Sequence, residues 1–328
     1  MHRREFLGAS VAIAAAGSFD CMSTLASPSI DTIPIIDTHI HLFDTTRPQG
    51  APYKGSKRFQ QESSVALPST YRRLAEPLGI VGAIEIEASP WIEDNLWVLE
   101  IAQTDPIMVG TIGNLRPEKP EFPEYLERYH RNPLFRGIRY GNLWNYDLVE
   151  QVANPVFLDG LKLLAQADLV LDTANPRVDL LQAVLKINDK VPDLRIVIDH
   201  LPSLEVKPDE KSDYDAVLRE IPSRQNVFVK LSEIEHRVSG QPNGQVELGL
   251  DAHRSRLDLL TGVFGEDRVL FGSDWPNSVG TATLQQIVAL VRAYYSEESR
   301  AAAEKYFWRN SLQVYKWIKR SANQPQLK

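Results

Sequence analysis

Two histidines two residues apart, His39 and His41, close the apolar segment "PIIDTHIHLFD" at residues 34–44. Residues two apart in a β-strand point to the same side, so Asp37, His39 and His41 are expected to face together. Two imidazoles at this spacing can bind one divalent ion such as zinc or manganese. The alternative is a strand edge that carries two solvent-exposed histidines. The position of the pair behind an apolar run favours a metal site formed by His39 and His41.

Two later segments carry groups suited to acid–base chemistry. Asp274, in "RVLFGSDWP", can ligate a metal and accept a proton from water, although aspartate in this position also caps helices. His200, in "RIVIDH", can ligate a metal or protonate a leaving oxygen; its alternative role is that of a hydrogen-bonded core histidine. Strand alternation predicts that only one of Asp199 and His200 faces the interior.

Charged residues of both signs follow other apolar segments. In "AIEIEASP", Glu85 and Glu87 are predicted to share a face, and buried carboxylates require a cation or a shared proton. A metal, Arg139 of "FRGIRYG" or Lys230 of "NVFVKLS" can supply that charge. We therefore predict Glu87 as a further metal ligand, and Arg139 and Lys230 as substrate-binding cations. The alternative is a structural network of ion pairs.

The segments that must position these residues recur along the chain. Eight β-rich runs alternate with amphipathic, helix-like stretches; the runs cover residues 34–41, 80–87, 107–113, 135–140, 168–173, 194–200, 226–232 and 268–274. This alternation predicts a single-domain α/β fold, a (β/α)8 TIM barrel, over residues 31–322, with a C-terminal tail at 323–328. The rival is an open doubly wound sheet, but no glycine-rich dinucleotide motif follows the first run. In a barrel, the residues named above would meet at the C-terminal ends of the strands, where active sites lie.

Two connections are unusually long, residues 42–68 and 233–249, and long connections often form lids or binding loops. Plain surface insertion is the alternative for each. Within or near the second connection, Glu235 is expected to be solvated and His253 to lie on a helix surface.

The N-terminal 30 residues are predicted to be an export signal. Arg3 and Arg4 precede Phe6, Leu7 and a short apolar run, an order that resembles a twin-arginine signal. The run is too short to span a bilayer, so no stable membrane insertion is expected. Export by the twin-arginine machinery implies a periplasmic protein, and it removes the only cysteine, Cys21, with the signal. The net charge of −7 argues against nucleic-acid binding through a broad basic surface.

As a set, the motifs "IIDTHIHLFD", "EIEASP", "FRGIRYG", "RIVIDHLP", "NVFVKLS" and "RVLFGSDWP" resemble the amidohydrolase superfamily. They are most similar to its lactonase-like branch, which includes sugar lactonases similar to L-fuconolactonase and 2-pyrone-4,6-dicarboxylate lactonase. The resemblance implies hydrolysis of a lactone. It also implies that His39 and His41 correspond to the family's first-strand pair, His200 to its later histidine and Asp274 to its last-strand aspartate. It leaves open whether a metal is present, because members of the branch work with and without one. One departure concerns Glu233, which stands where the family often has glycine.

The leading hypothesis is therefore an exported hydrolase that opens a sugar lactone or a carboxylated lactone. Water is activated by a metal at His39 and His41, or by Asp274 alone; Asp274 and His200 are the catalytic residues. The alternatives are a non-oxidative decarboxylase of the same superfamily and a non-catalytic exported binding protein on a barrel scaffold.

Overall fold

The computed structural model describes residues 29–236 and 246–327, and eight parallel strands form one sheet in chain order within it. The strands are β1 (Ile35–Ile40), β2 (Ile80–Ile86), β3 (Met108–Gly113), β4 (Phe135–Arg139), β5 (Val170–Asp172), β6 (Arg195–Ile198), β7 (Val227–Lys230) and β8 (Val269–Leu270). Each lies inside one of the eight predicted runs, so this part of the fold prediction is confirmed. Their continuous apolar character follows from burial on both faces.

One long helix follows each strand before the next begins. These helices are α1 (Pro68–Ala75), α2 (Asp94–Thr104), α3 (Phe122–His130), α4 (Pro155–Gln166), α5 (Val178–Lys190), α6 (Lys211–Glu220), α7 (Leu250–Phe264) and α8 (Leu284–Tyr295). Two of them, α4 and α8, begin with a side-chain cap: at α8 the hydroxyl of Thr283 accepts a hydrogen bond from the Gln286 amide. The alternation of strand and helix is that of a (β/α)8 barrel.

The sheet closes on itself where the first strand meets the last. The amide of Thr38 donates to the Phe271 carbonyl at 3.0 Å, and the amide of Asp274 donates to the His39 carbonyl at 2.8 Å. A parallel bridge between Ile40 and Trp275 extends this contact. Closure therefore brings Asp274, in the segment that follows β8, directly beside the end of β1.

The C-terminal segment packs against the barrel. Short helices at Arg300–Glu304 and Asn310–Tyr315, joined by a π-helical turn, carry Tyr315 to the barrel interior, where its hydroxyl donates to Asp172 at 2.9 Å. The predicted tail is anchored at its start, because the buried Gln324 amide donates to the carbonyls of Val81 and Pro106.

The long connection after β1 is itself structured. It contains a helix, Lys57–Glu62, and two short antiparallel strands, Phe43–Asp44 and Val65–Ala66. The predicted export signal at 1–30 lies almost entirely outside the described residues, as does Cys21. In the described ranges, no helix is both long and apolar enough to cross a bilayer.

Candidate active site

Three histidines and one aspartate converge at the C-terminal ends of the strands. The Asp274 Oδ1 atom lies 3.1 Å from His41 Nε2, 3.5 Å from His39 Nε2 and 3.9 Å from His200 Nε2. All four side chains are almost completely buried. The structure thus brings together the set predicted from β1, β6 and β8.

Hydrogen bonding fixes the tautomer of His41. Its Nδ1 donates to the Ile86 carbonyl at 2.8 Å, because a carbonyl oxygen can only accept. The Nε2 atom faces the Asp274 carboxylate at 3.1 Å, so the His41 ring and Asp274 can act on one shared ligand or proton.

The Asp274 carboxylate is held in its ionised form. Burial favours the neutral acid, but hydrogen bonds from His41 and from Asn277, whose amide donates to Oδ2 at 2.7 Å, outweigh burial and lower the pKa of Asp274. The backbone of Asp274 is left-handed, with φ of 57°, a conformation that aspartate tolerates better than most residues. The result is a buried carboxylate ready to accept a proton.

His200 and Asp199 both reach the site, so the prediction that only one faces inward is wrong. His200 has a left-handed backbone, with φ of 57°, and this conformation breaks the alternation at the end of β6. Its Nδ1 is 2.8 Å from Ser232 Oγ, while Asp199 Oδ2 lies 3.7 Å from His39 Nδ1. Burial lowers the pKa of His200 to about 3, so its imidazole is neutral at physiological pH.

Arg139 and Glu87 form an ion pair in the pocket wall. The Arg139 Nε donates to Glu87 Oε1 at 3.0 Å, and the Trp144 indole donates to Glu87 Oε2 at 3.0 Å. Glu87 consequently belongs to none of the groups of described residues whose donor atoms are close enough to share a metal. Its predicted role as a metal ligand needs correction, because its carboxylate is already engaged by Arg139 and Trp144.

Lys230 lies deeper than Arg139. It is fully buried, with its Nζ 2.6 Å from Asp172 Oδ2 and 3.0 Å from Asp199 Oδ1, and 3.4 Å from His39 Nδ1. Among described residues, Arg139 lines the pocket and Lys230 does not. Lys230 thus lies behind His39, where its positive charge acts on the His39 ring. Its predicted contact with substrate stays a prediction.

Two carboxylates of the predicted set lie elsewhere. Asp37 accepts hydrogen bonds from the Tyr71 hydroxyl at 2.6 Å and from the Ser273 amide at 2.9 Å, and so ties β1 to α1 and to the segment after β8. The register of β1 is irregular between Asp37 and Ile40, which separates Asp37 from the histidines. Glu85 borders a cavity of about 20 Å³ behind β2, and its carboxylate has no hydrogen-bond partner among described residues.

Two expectations of solvent exposure are wrong. Glu235 is buried and accepts a hydrogen bond from the Thr281 hydroxyl at 3.3 Å. His253 is buried on the inner side of α7, where its Nε2 is 2.6 Å from the Glu247 carbonyl oxygen. A polar contact with a distant segment explains the position of Glu235, and one with the turn before α7 explains that of His253; no periodic pattern in the sequence predicts either.

The pocket itself has a volume of about 130 Å³ and includes residues that the sequence did not single out. These are Tyr53, Trp144, Asn175, Glu233 and Asn277. All come from connections rather than strands. Of these, only Glu233 was noted in the sequence, as a departure from glycine, and its left-handed backbone, with φ of 53°, is a conformation that glycine adopts readily.

The donor set fits a divalent metal ion. One atom each from His39, His41 and Asp274 lie within 4.8 Å of one another, and His200 with Glu233 and Asp274 forms a second such group. Imidazole nitrogens and a carboxylate oxygen suit zinc or manganese. Arg139 Nη1, at 3.4 Å from His39 Nε2, adds a fixed positive charge at the same ring nitrogen that faces Asp274.

Comparison with known proteins shows which proteins this barrel resembles. The protein is 26% identical over 210 residues to an L-fucono-1,5-lactonase of Burkholderia ambifaria, covering 62% of this chain and 69% of the relative. It superposes with a TM-score of 0.74 on the crystal structure of an amidohydrolase from Burkholderia multivorans with bound zinc, at 21% identity over 87% of this chain and 100% of the other. A 5-carboxyvanillate decarboxylase of Sphingomonas paucimobilis shares the fold at a TM-score of 0.59 and 12% identity, over 87% of this chain and 100% of the other.

The family assignment rests on a match that spans the barrel. The model of the amidohydrolase family matches residues 36–317, from the second residue of β1 to beyond the Tyr315 that packs inside the barrel. That range contains every residue of the candidate site. The chain therefore belongs to the amidohydrolase family, in its lactonase-like branch.

Proposed function

We propose that this protein hydrolyses a sugar lactone by adding water to the lactone carbonyl. The observation that carries the proposal is the buried, ionised Asp274 surrounded by His39, His41 and His200. A relative named as an L-fucono-1,5-lactonase supports the substrate class. The alternative of a non-catalytic binding protein offers no reason to hold an ionised carboxylate beside three histidines in a buried pocket.

The charges of the pocket favour a neutral, hydroxylated ring over a dicarboxylate. Among the described residues that line it, Arg139 is the one cation, and Glu87 already pairs with it. Glu233 and Asp274 add negative charge to the same wall. Counting the protein's own side chains, a substrate with two carboxylates would meet uncompensated negative charge, whereas sugar hydroxyls can donate to these oxygens.

In the proposed reaction, Asp274 accepts a proton from water as the water oxygen forms a bond to the carbonyl carbon. The carbonyl oxygen becomes negatively charged, and Arg139 stabilises that charge. The carbon–oxygen bond of the ring then breaks, and the leaving oxygen takes the proton back with the assistance of His200. A divalent ion held by His39, His41 and Asp274 would supply Lewis-acid polarisation of the water and the carbonyl.

The decisive experiment is hydrolysis of an aldonolactone panel, including L-fucono-1,5-lactone, by the purified protein. Asp274→Asn should lower kcat/KM by at least about 10³-fold, because the proton acceptor is lost. Asparagine tolerates the left-handed backbone of this position, so the variant should keep its fold, which circular dichroism checks. Full activity of Asp274→Asn would refute the assignment of the base. Release of carbon dioxide from aromatic acids, without lactone hydrolysis, would instead indicate a decarboxylase.

We also propose that the protein is exported to the periplasm by the twin-arginine machinery. The support is the order Arg3-Arg4-Glu5-Phe6-Leu7 before a short apolar run. Replacing both arginines by lysine should retain the precursor in the cytoplasm, as measured by cell fractionation. Unchanged export of the double variant would refute this route.

A further inference from the structure

The hydroxyl of Tyr53 is a polar group in the pocket wall that takes no part in the reaction steps proposed above. Tyr53 comes from the connection between β1 and α1 and lines the pocket beside His41 and Asp274. Its hydroxyl oxygen is buried and has no hydrogen-bond partner among the described residues. A buried hydroxyl without a partner is destabilising, so its retention in a functional pocket calls for a ligand that satisfies it.

Packing fixes the position of this hydroxyl in advance. The Tyr53 ring lies 5.0 Å from the His41 ring and 5.5 Å from the Phe43 ring, measured between centroids. The connection is anchored to α2, because the Arg47 guanidinium donates two hydrogen bonds to Asp94, at 2.9 and 3.1 Å. The connection thus forms a fixed wall at this point, and a donor held in this way needs little reorganisation to meet its partner.

The charges around Tyr53 keep it a donor. A tyrosine hydroxyl has an ordinary pKa of about 10, and the Asp274 carboxylate that lines the same pocket does not favour loss of its proton. The phenol is therefore neutral at physiological pH and retains its proton. It can therefore donate a hydrogen bond to an acceptor in the pocket.

We propose that the Tyr53 hydroxyl donates a hydrogen bond to the ester group of the bound lactone, at an oxygen on which negative charge develops during hydrolysis. This proposal rests on the proposed lactonase function. Tyr53 would then act together with Arg139. The arginine supplies positive charge, and the tyrosine supplies a neutral hydrogen-bond donor from the connection between β1 and α1. Stabilisation of this kind acts in the transition state and therefore appears in kcat.

The test compares Tyr53→Phe with Tyr129→Phe on L-fucono-1,5-lactone, with thermal unfolding of each variant. Tyr53→Phe should lower kcat by about 100-fold with little change in KM, in line with the loss of one such donor. Its melting temperature should stay the same or rise, because no hydrogen bond within the protein is lost. Tyr129 is the matched control: its hydroxyl donates to the Ile92 carbonyl at 3.0 Å, away from the pocket. Tyr129→Phe should lower the melting temperature and leave kcat unchanged.

Three results would overturn the proposal: a kcat of Tyr53→Phe within twofold of the wild type, an increase in KM alone, or a loss of melting temperature like that of Tyr129→Phe. The first two exclude a role in charge stabilisation, and the third indicates a structural partner for the hydroxyl. These outcomes are distinct from failure of the proposed function. In that case the wild-type protein itself would hydrolyse no lactone of the panel, and the role of Tyr53 would fall with it.

Discussion

The barrel interior holds two neighbouring groups of charged residues that differ in what their polar atoms contact. The first, which we call the pocket group, comprises His41, Arg139, His200 and Asp274, and its members line the pocket. The second, the buried triad, comprises Asp172, Asp199 and Lys230, each with no solvent exposure. In the triad, Lys230 pairs with both carboxylates.

The difference separates charges that serve the fold from charges that remain available for chemistry. The triad lies behind the pocket, since the Tyr315 hydroxyl also donates to Asp172 and, among the described residues, none of its side chains lines the pocket, although Asp199 Oδ2 lies 3.7 Å from His39 Nδ1. The pocket group keeps atoms directed at a shared space, and two of its members, His200 and Asp274, have left-handed backbones. Backbone strain of this kind is typical of functional sites.

The largest expected effect tests the triad. Lys230→Met should lower the free energy of unfolding by about 3–5 kcal/mol, because it leaves two buried carboxylates without their cation. Urea denaturation measures this loss. If Lys230 instead bound substrate, the variant would lose activity while keeping nearly all of its stability, and the distinction between the two groups would fail.

A matched control uses a surface ion pair of similar geometry. Lys162 Nζ lies 2.8 Å from Asp159 Oδ1, with both side chains more than half exposed. Lys162→Met should leave the urea midpoint almost unchanged, because exposed pairs contribute little. A loss comparable to that of Lys230→Met would mean that burial is not the cause.

The sequence predicts the architecture well because the relevant signals are local. Eight apolar, β-rich runs separated by amphipathic stretches suffice for a barrel, and His39 and Asp274 stand out because their residue types are unusual at strand ends. The depth of a side chain is not a local property. Arg139 and Lys230 look equivalent in the sequence, and only the packing around β5 to β7 places Lys230 behind the pocket while Arg139 lines it. The position of Tyr53 could not be predicted from the sequence for another reason. An irregular connection has no sequence period that indicates which side chain points inward.

Glu85 sharpens the comparison because it is buried like the triad but forms no ion pair within the described part of the chain. Burial, together with repulsion from Glu87, raises the pKa of Glu85 well above its ordinary value of 4.5. Between pH 4.5 and the folded-state pKa, the folded protein holds one proton more than the unfolded chain. Stability is therefore lost as pH rises through this window, by about 1.4 kcal/mol per pH unit for one proton.

Glu85→Gln should remove this contribution, since an amide does not titrate. The variant should gain stability relative to the wild type as pH rises from 5 to 7, as measured by urea denaturation at each pH. A constant difference across this range would show that Glu85 is ionised in the folded protein, and hence that a cation pairs with it.

The smallest effect concerns strain in the pocket. Glu233 has φ of 53° at the end of β7, a conformation that costs a non-glycine residue about 1–2 kcal/mol. Glu233→Gly removes that cost, but glycine also gives the unfolded chain more entropy, worth about 0.5–1 kcal/mol. The net expectation is a gain of up to about 1 kcal/mol in the free energy of unfolding.

Glu233→Gln separates strain from charge, because glutamine keeps the backbone cost and removes only the negative charge. We expect both variants to lose catalytic efficiency by similar factors, since both lose a carboxylate that lines the pocket, with Oε1 3.4 Å from the Asn277 amide nitrogen. Only Glu233→Gly should gain stability. A glycine variant that is less stable than the wild type would show that side-chain contacts of Glu233 outweigh its backbone strain, and strain would then no longer distinguish the pocket from the buried triad.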